Sequence, residues 1–328
     1  MPVPVPLPVP DLPCDFINTH SKFDFRAGAS AGASMELIEE NLLKWNQMGL
    51  FPGPLEAPEE FVRRVRYCLD LMHTLAEENN ELIPGSTVEH ADRELTFEAW
   101  KLTQSSYGFA PLWAPLFFSN YRLAPWHGGC AWIFQVRTDT PLGALFQLRR
   151  EFKTKETFLR IYHRYVLLAH EAVHVARMAY EEPKFEEFLA YRLSPNLFQR
   201  VAGPLVQSSR ESGLFFLLIV LLLVLDVASL SFGVFVTPLV WLHAAPVIMV
   251  MMALARLWVR HGQLNTLINT LRTVSAYPEA IACRMTDREI IDWGKMSSQE
   301  IVTHAKKLSE SSLRWRVIYK AYFIEKER

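Results

Sequence analysis

Between Gly213 and Ala255 the chain is almost wholly apolar, and Asp226 is the one plainly charged residue in the stretch. Gly233 and Pro238 fall near its middle. Each half has about twenty residues, enough for a helix to cross a hydrocarbon core of about 30 Å. Two such halves in succession rarely occur in a globular core, so the sequence predicts a transmembrane hairpin over 213–233 and 236–256. Arg200 and Arg210 precede the first span, Arg256 and Arg260 follow the second, and the turn has no Lys or Arg. The positive-inside bias therefore predicts both termini and both large flanks in the cytoplasm. With a turn centred near 234–235, His243 would lie at the depth of Asp226. A hydrogen-bonded pair that pins the hairpin is the expected arrangement.

The second constraint is Tyr165 to Leu193, which contains His170-Glu171-Ala172-Val173-His174, an H-E-x-x-H pattern. Histidines four apart project from one helix face, one turn above the other. Two imidazoles so placed can bind one Zn²⁺, while the glutamate beside the first acts on water. Glu187 follows in Glu187-Phe188-Leu189-Ala190, a carboxylate placed to be the third ligand. Three protein ligands leave a tetrahedral position open, as catalytic zinc requires. The zinc helix is predicted from about Thr154 to Glu182 and a second helix from about Phe185 to Leu193, with Pro183 between them. Glu186, Glu182 and Glu181 stand as alternative third ligands. Glu186 and Glu187 cannot both face one ion from one helix, being about 100° apart.

H-E-x-x-H followed by E-x-x-A resembles the gluzincin clan of zinc metallopeptidases, including its membrane-embedded members and the minigluzincins. The resemblance covers about 165–193. It implies His170, His174 and Glu187 as metal ligands and Glu171 as general base, with Ala190 the small residue that lets the two helices pack closely. It also implies that the strand before the zinc helix binds substrate backbone by β-addition, which would cast Trp132 to Val136 in that role. Tyr180, Tyr191 and His163 are the candidates for steadying the oxyanion.

The remaining chain supports these two features. Residues 1–33 read as a flexible arm, proline-rich at first and ending in Ala27-Gly28-Ala29-Ser30-Ala31-Gly32-Ala33. No basic region precedes an apolar run there, so no signal peptide is predicted. Helices are expected from Ser34 to near Gly49, with Ile38, Leu42 and Trp45 inward, and from Pro58 to about Asn79. On the second, Arg63, Arg64 and Arg66 would form a solvated face. A short helix is expected around Leu95, Ala99 and Leu102. Ala131 to Val136 is the best strand candidate, and a short helix containing Leu142, Leu145 and Leu148 is expected after Pro141. Beyond the spans, Leu264–Leu271 looks helical. Thr286-Asp287-Arg288-Glu289 and Ser297-Ser298-Gln299-Glu300 match capping boxes. The tail from Ser312 reads as a packed amphipathic helix, with the anionic leaflet as its other possible seat. Four scattered cysteines and a net charge of -1 argue against a disulfide framework and against nucleic acid as partner.

The expected architecture is thus mainly α with a small β element. A zincin-like domain over 34–212 would carry a two-helix transmembrane hairpin over 213–256 and a helical cytosolic region over 257–328. The expected activity is that of a membrane-anchored zinc-dependent metalloendopeptidase, with Zn²⁺ as cofactor and with a peptide substrate and the lipid bilayer as partners. The competing expectation is a non-enzymatic hairpin membrane protein with cytosolic interaction domains.

Overall fold

The computed structural model describes residues 37–78, 93–135, 140–207, 209–232 and 241–323. The predicted arm over 1–33 lies outside them, as do Ser34 and Val136. Helix α1 (Glu39–Gln47) buries Leu42 and Trp45, whereas Ile38 stands before the helix and is exposed. Gly49, with φ +71°, takes the left-handed conformation that ends helices at little cost to glycine. Helix α2 (Pro58–Glu78) turns Phe61, Val65 and Cys68 inward. Arg64, expected on the solvated face, is buried instead. Its guanidinium donates to both Glu56 carboxylate oxygens, at 2.6 and 2.7 Å, and to the Phe51 carbonyl at 2.7 Å. A paired and hydrogen-bonded cation can be buried where a lone one cannot. Helix α3 (Arg93–Tyr107) follows, longer than its periodic residues marked.

A three-stranded sheet comes next, made of β1 (Leu116–Phe118), β2 (Gly129–Phe134) and β3 (Gly143–Leu148) in the order β1-β3-β2. β1 runs parallel to β3 and β2 antiparallel to it, which leaves β2 as an edge. The helix expected over Leu142, Leu145 and Leu148 is therefore strand β3. All six of its residues are buried, so the alternation that marks a one-sided strand is missing, and leucines three apart imitate a helical stripe.

The predicted start of the zinc helix is also corrected. From Thr154 the chain forms a hairpin, β4 (Thr157–Phe158) with β5 (Tyr162–His163), and α4 (Arg164–Ala176) begins only after it. Leu159 and Arg160 turn the hairpin in left-handed conformation, with φ of 52° and 57°. The Arg164 N–H donates to the Glu156 carbonyl at 2.9 Å and closes its base. Helix α5 (Pro183–Tyr191) then starts on Pro183, which is well suited to a first helical position. A short helix, α6 (Leu197–Ala202), and a tight turn at 203–205 lead to α7 (Ser209–Phe232).

Helix α7 and α8 (Ala244–Leu271) are long and apolar enough to cross a membrane, and only 6% of the most apolar window of each is buried. The predicted start at 236 lies outside the described residues, and the second helix does not stop at 256. It runs on to Leu271, absorbing the separate helix expected there, because Leu257, Leu264, Leu267, Ile268 and Leu271 pack into the main core. His243 Nε2 and Asp226 Oδ2 lie 3.0 Å apart, the expected pair. At the base of the hairpin the Arg256 guanidinium engages the Glu211 carboxylate and donates to the Leu205 carbonyl at 3.1 Å.

The last helices are α9 (Pro278–Cys283), α10 (Asp287–Trp293), α11 (Ser298–Ser311) and α12 (Leu313–Tyr322). Both predicted capping boxes form, Thr286 with Glu289 and Ser297 with Glu300. Helix α12 buries Trp315, Val317 and Ile318, which makes it a packed helix rather than a leaflet-bound one. Side chains of these helices join those of α1–α5 in one continuous core. Buried arginines stitch the two parts together. Arg177, just past α4, donates to the carbonyls of Cys283 and Met285, and Arg284 donates to Asn46 Oδ1 and to the Tyr107 carbonyl.

Candidate functional site

Helix α4 is buried almost all round, through Leu168, Ala169, Ala172, Val173, Val175 and Ala176. His170 and His174 stand on its partly open stripe, where α5 crosses. Their side chains keep 14% and 17% exposure and that of Glu187 24%, so solvent reaches all three. Ala190 is buried on α5, in the core that the two helices share.

The three side chains converge. His170 Nε2 and His174 Nε2 are 3.2 Å apart, Glu187 Oε2 is 3.6 Å from the first and Glu187 Oε1 is 3.5 Å from the second. Ligands about 2.05 Å from one tetrahedral zinc lie about 3.3 Å from each other. The nitrogen–nitrogen separation is close to an edge of such a tetrahedron, Glu187 turns a different oxygen to each histidine, and two nitrogens with one carboxylate suit zinc chemically. These residues therefore fit a divalent ion of that kind.

The alternative third ligands are placed elsewhere. Glu186 lies on the far side of His174, with Oε1 2.7 Å from Nδ1. That contact fixes the ring and turns Nε2 toward His170 and Glu187, a carboxylate–histidine arrangement common behind metal ligands. Glu182 accepts the Asp287 N–H at 2.7 Å, and Glu181 is exposed with φ 51°. Sequence reading found Glu186 but not this role, since only the crossing angle of α4 and α5 decides which nitrogen it meets.

Glu171, next to His170 in α4, reaches β2, where its Oε2 accepts the Ala131 N–H at 2.7 Å. That N–H lies on the side of β2 away from β3. Gly128 O accepts from Arg149 N, so the even-numbered residues of the strand face β3 and Ala131 faces outward. The general-base candidate and the edge strand thus meet directly. Of the three candidates for steadying negative charge, Tyr191 is at the site, its ring centroid 4.5 Å from that of His170. Gly203 packs on the other side of Tyr191, and a Cβ there would collide with the ring. Tyr180 donates to the Arg284 carbonyl, away from the histidines, and His163 is exposed at the end of β5.

The electrostatics follow from burial and pairing. Burial pushes Glu171 up to about 7, against the pull of His174 and the Ala131 N–H. Burial and its neighbour His174 hold His170 well below its ordinary value, as a neutral imidazole. Burial lowers His174 too, but the Glu186 hydrogen bond and the Glu187 charge outweigh it and hold the ring up to about 10. At pH 7 His174 therefore carries a proton that a metal must displace. Metal uptake is expected to release about one proton from His174, and affinity to rise with pH up to about 10. Calorimetric titration with zinc in buffers of different ionisation enthalpy reads that proton, and a buffer-independent heat would contradict the assignment.

Asp287 supports the site from a distance. It caps the first turn of α5, accepting from Lys184 N at 2.9 Å and Phe185 N at 3.1 Å. Nothing in the sequence links Asp287 to a helix a hundred residues earlier. Asp287→Ala is expected to cost about 1–3 kcal/mol by orphaning these donors. It should also loosen the helix that carries Glu187. Chemical denaturation and zinc affinity of the variant measure both effects.

Compared with known proteins, the chain matches no protein-family model, no curated protein and no solved structure.

Proposed function

We propose that this chain is a membrane-anchored zinc metallopeptidase with a zincin-like catalytic domain. The observation that carries the reading is the convergence of His170, His174 and Glu187, one ligand atom of each within 4.8 Å of the others, with Glu171 of the same helix bonded to strand β2. When bound, zinc would polarise the scissile carbonyl and lower the pKa of water. Glu171 takes the proton from the attacking water and delivers it to the leaving amine, a task suited to a carboxyl held near neutrality. Apart from the Ala131 N–H, which Glu171 takes, the side of β2 away from β3 would offer backbone groups, such as those of Ile133, to an extended substrate. Tyr191, held between Gly203 and His170, is placed to steady negative charge on the carbonyl oxygen.

Helices α7 and α8 serve as the anchor. Their apolar side chains are exposed, and a bilayer is the solvent in which that exposure costs nothing. Both helices leave the same domain, joined at Glu211 and Arg256, which supports a topology with both flanks on one side of the membrane. The arginines at that base, with none in the turn, favour the cytoplasm as that side. The site then acts on cytosolic or membrane-proximal segments.

Metal content of purified protein tests the reading. Wild type is expected to hold one zinc per chain and His174→Ala none. Absence of zinc from both would remove the peptidase and leave a hairpin-anchored scaffold.

A further inference from the structure

Among the described residues, several large apolar side chains outside the hairpin are exposed close to where it joins the domain. Leu197 and Phe198, on α6, are 67% and 76% exposed; Leu159 and Ile161, at the β4–β5 turn, 53% and 54%; Trp126, in the loop before β2, 57%. They lie on three segments that are linked to one another or to the hairpin. Gln199 of α6 donates to the Ile161 carbonyl at 2.6 Å, and His261 of α8 lies 2.9 Å from the Val201 carbonyl at the other end of α6. The Trp126 ring packs on Phe216 of α7, with centroids 6.3 Å apart.

We infer that α6, the β4–β5 turn and Trp126 form a second membrane contact, seated in the boundary between headgroups and acyl chains beside the hairpin. This inference rests on the reading of α7 and α8 as spans. Their base is marked by the Glu211–Arg256 pair. Phe216 is five residues along α7 from Glu211, about 7.5 Å toward the membrane. His261 is five residues along α8 from Arg256, about the same distance toward the domain. Trp126, which touches Phe216, therefore lies on the membrane side of the base within the depth that interfacial groups occupy, about 5–10 Å, and the end of α6 that touches His261 lies on its domain side, at headgroup level. The turn supports the same reading. Leu159 and Arg160 hold left-handed conformations that favour glycine, and that turn leaves Leu159 and Ile161 pointing into solvent. Exposed Arg160 and Arg200 flank the apolar groups and match anionic headgroups. An apolar surface continuous with two exposed apolar helices and rimmed by arginine fits a bilayer.

Photocrosslinking tests this in the full-length chain reconstituted into vesicles of phosphatidylcholine and phosphatidylserine. p-Benzoylphenylalanine replaces, one at a time, Ile161, Phe198, Val220 of α7 and Val302 of α11. Positions 161 and 198 are expected to yield phospholipid adducts as position 220 does, about tenfold above position 302. Adducts at 220 without adducts at 161 and 198 would overturn the second contact and leave the hairpin intact. Absence of lipid adducts at 220 as well would remove the membrane reading itself. Crosslinks from 161 or 198 to a second copy of the chain, in place of lipid, would overturn the inference in favour of a protein interface.

Discussion

Glu171→Gln is expected to retain one zinc per chain and to lose about 10²- to 10⁴-fold in peptide hydrolysis. Gln keeps the shape of the side chain and a carbonyl oxygen that can still accept the Ala131 N–H, so neither the β2 edge nor the ligand set should move. What it lacks is a basic oxygen. The loss should fall on kcat rather than on KM, because proton transfer belongs to the transition state and not to substrate binding. Turnover by the purified variant, measured beside its zinc content, decides the matter. An active Glu171→Gln protein would exclude Glu171 as the base, and a variant that loses its metal would make Glu171 structural.

Glu187→Ala and Glu186→Ala should separate sharply, although the residues are neighbours. Glu187 has one carboxylate oxygen on the side of each histidine, so its loss removes a proposed ligand and should abolish stoichiometric zinc and activity together. Glu186 meets only Nδ1 of His174, the nitrogen that faces away from the proposed metal. Its loss should weaken zinc by about 10- to 100-fold while activity returns at saturating metal. His174 of that variant should also be less basic, since Glu186 is its main support against burial. Zinc titration of both variants, followed by activity at each metal concentration, reads the contrast. Equal losses would mean that the roles of the two carboxylates are wrongly divided.

Much of this was legible because it depends on local spacing. Histidines four apart share a helix face whatever surrounds them, and Thr286 and Ser297 begin helices through groups three residues away. The hairpin was legible from length and apolarity, and the Asp226–His243 pair from equal distance to its turn. The misread elements share a different cause. β3 is buried on both faces, which erases the alternation by which strands are recognised. The β4–β5 hairpin turns on Leu159 and Arg160, where a sequence reader looks for Gly or Asn. Arg64 has the composition of a surface residue, and Glu56 and the Phe51 carbonyl make it an interior one.

By itself, then, the sequence determined the elements whose partners lie within a turn or two of chain: the histidine pair, the helix caps, the long apolar helices. Tertiary structure decided everything that depends on which distant groups meet. It chose Glu187 over Glu186 to face both histidines, aimed Glu171 at the backbone of β2, and used Asp287 to cap the helix that carries Glu187. The physical reason is that a helix fixes the angle between its own side chains. The angle between two helices is set by packing among residues far apart in the chain, which no local pattern records.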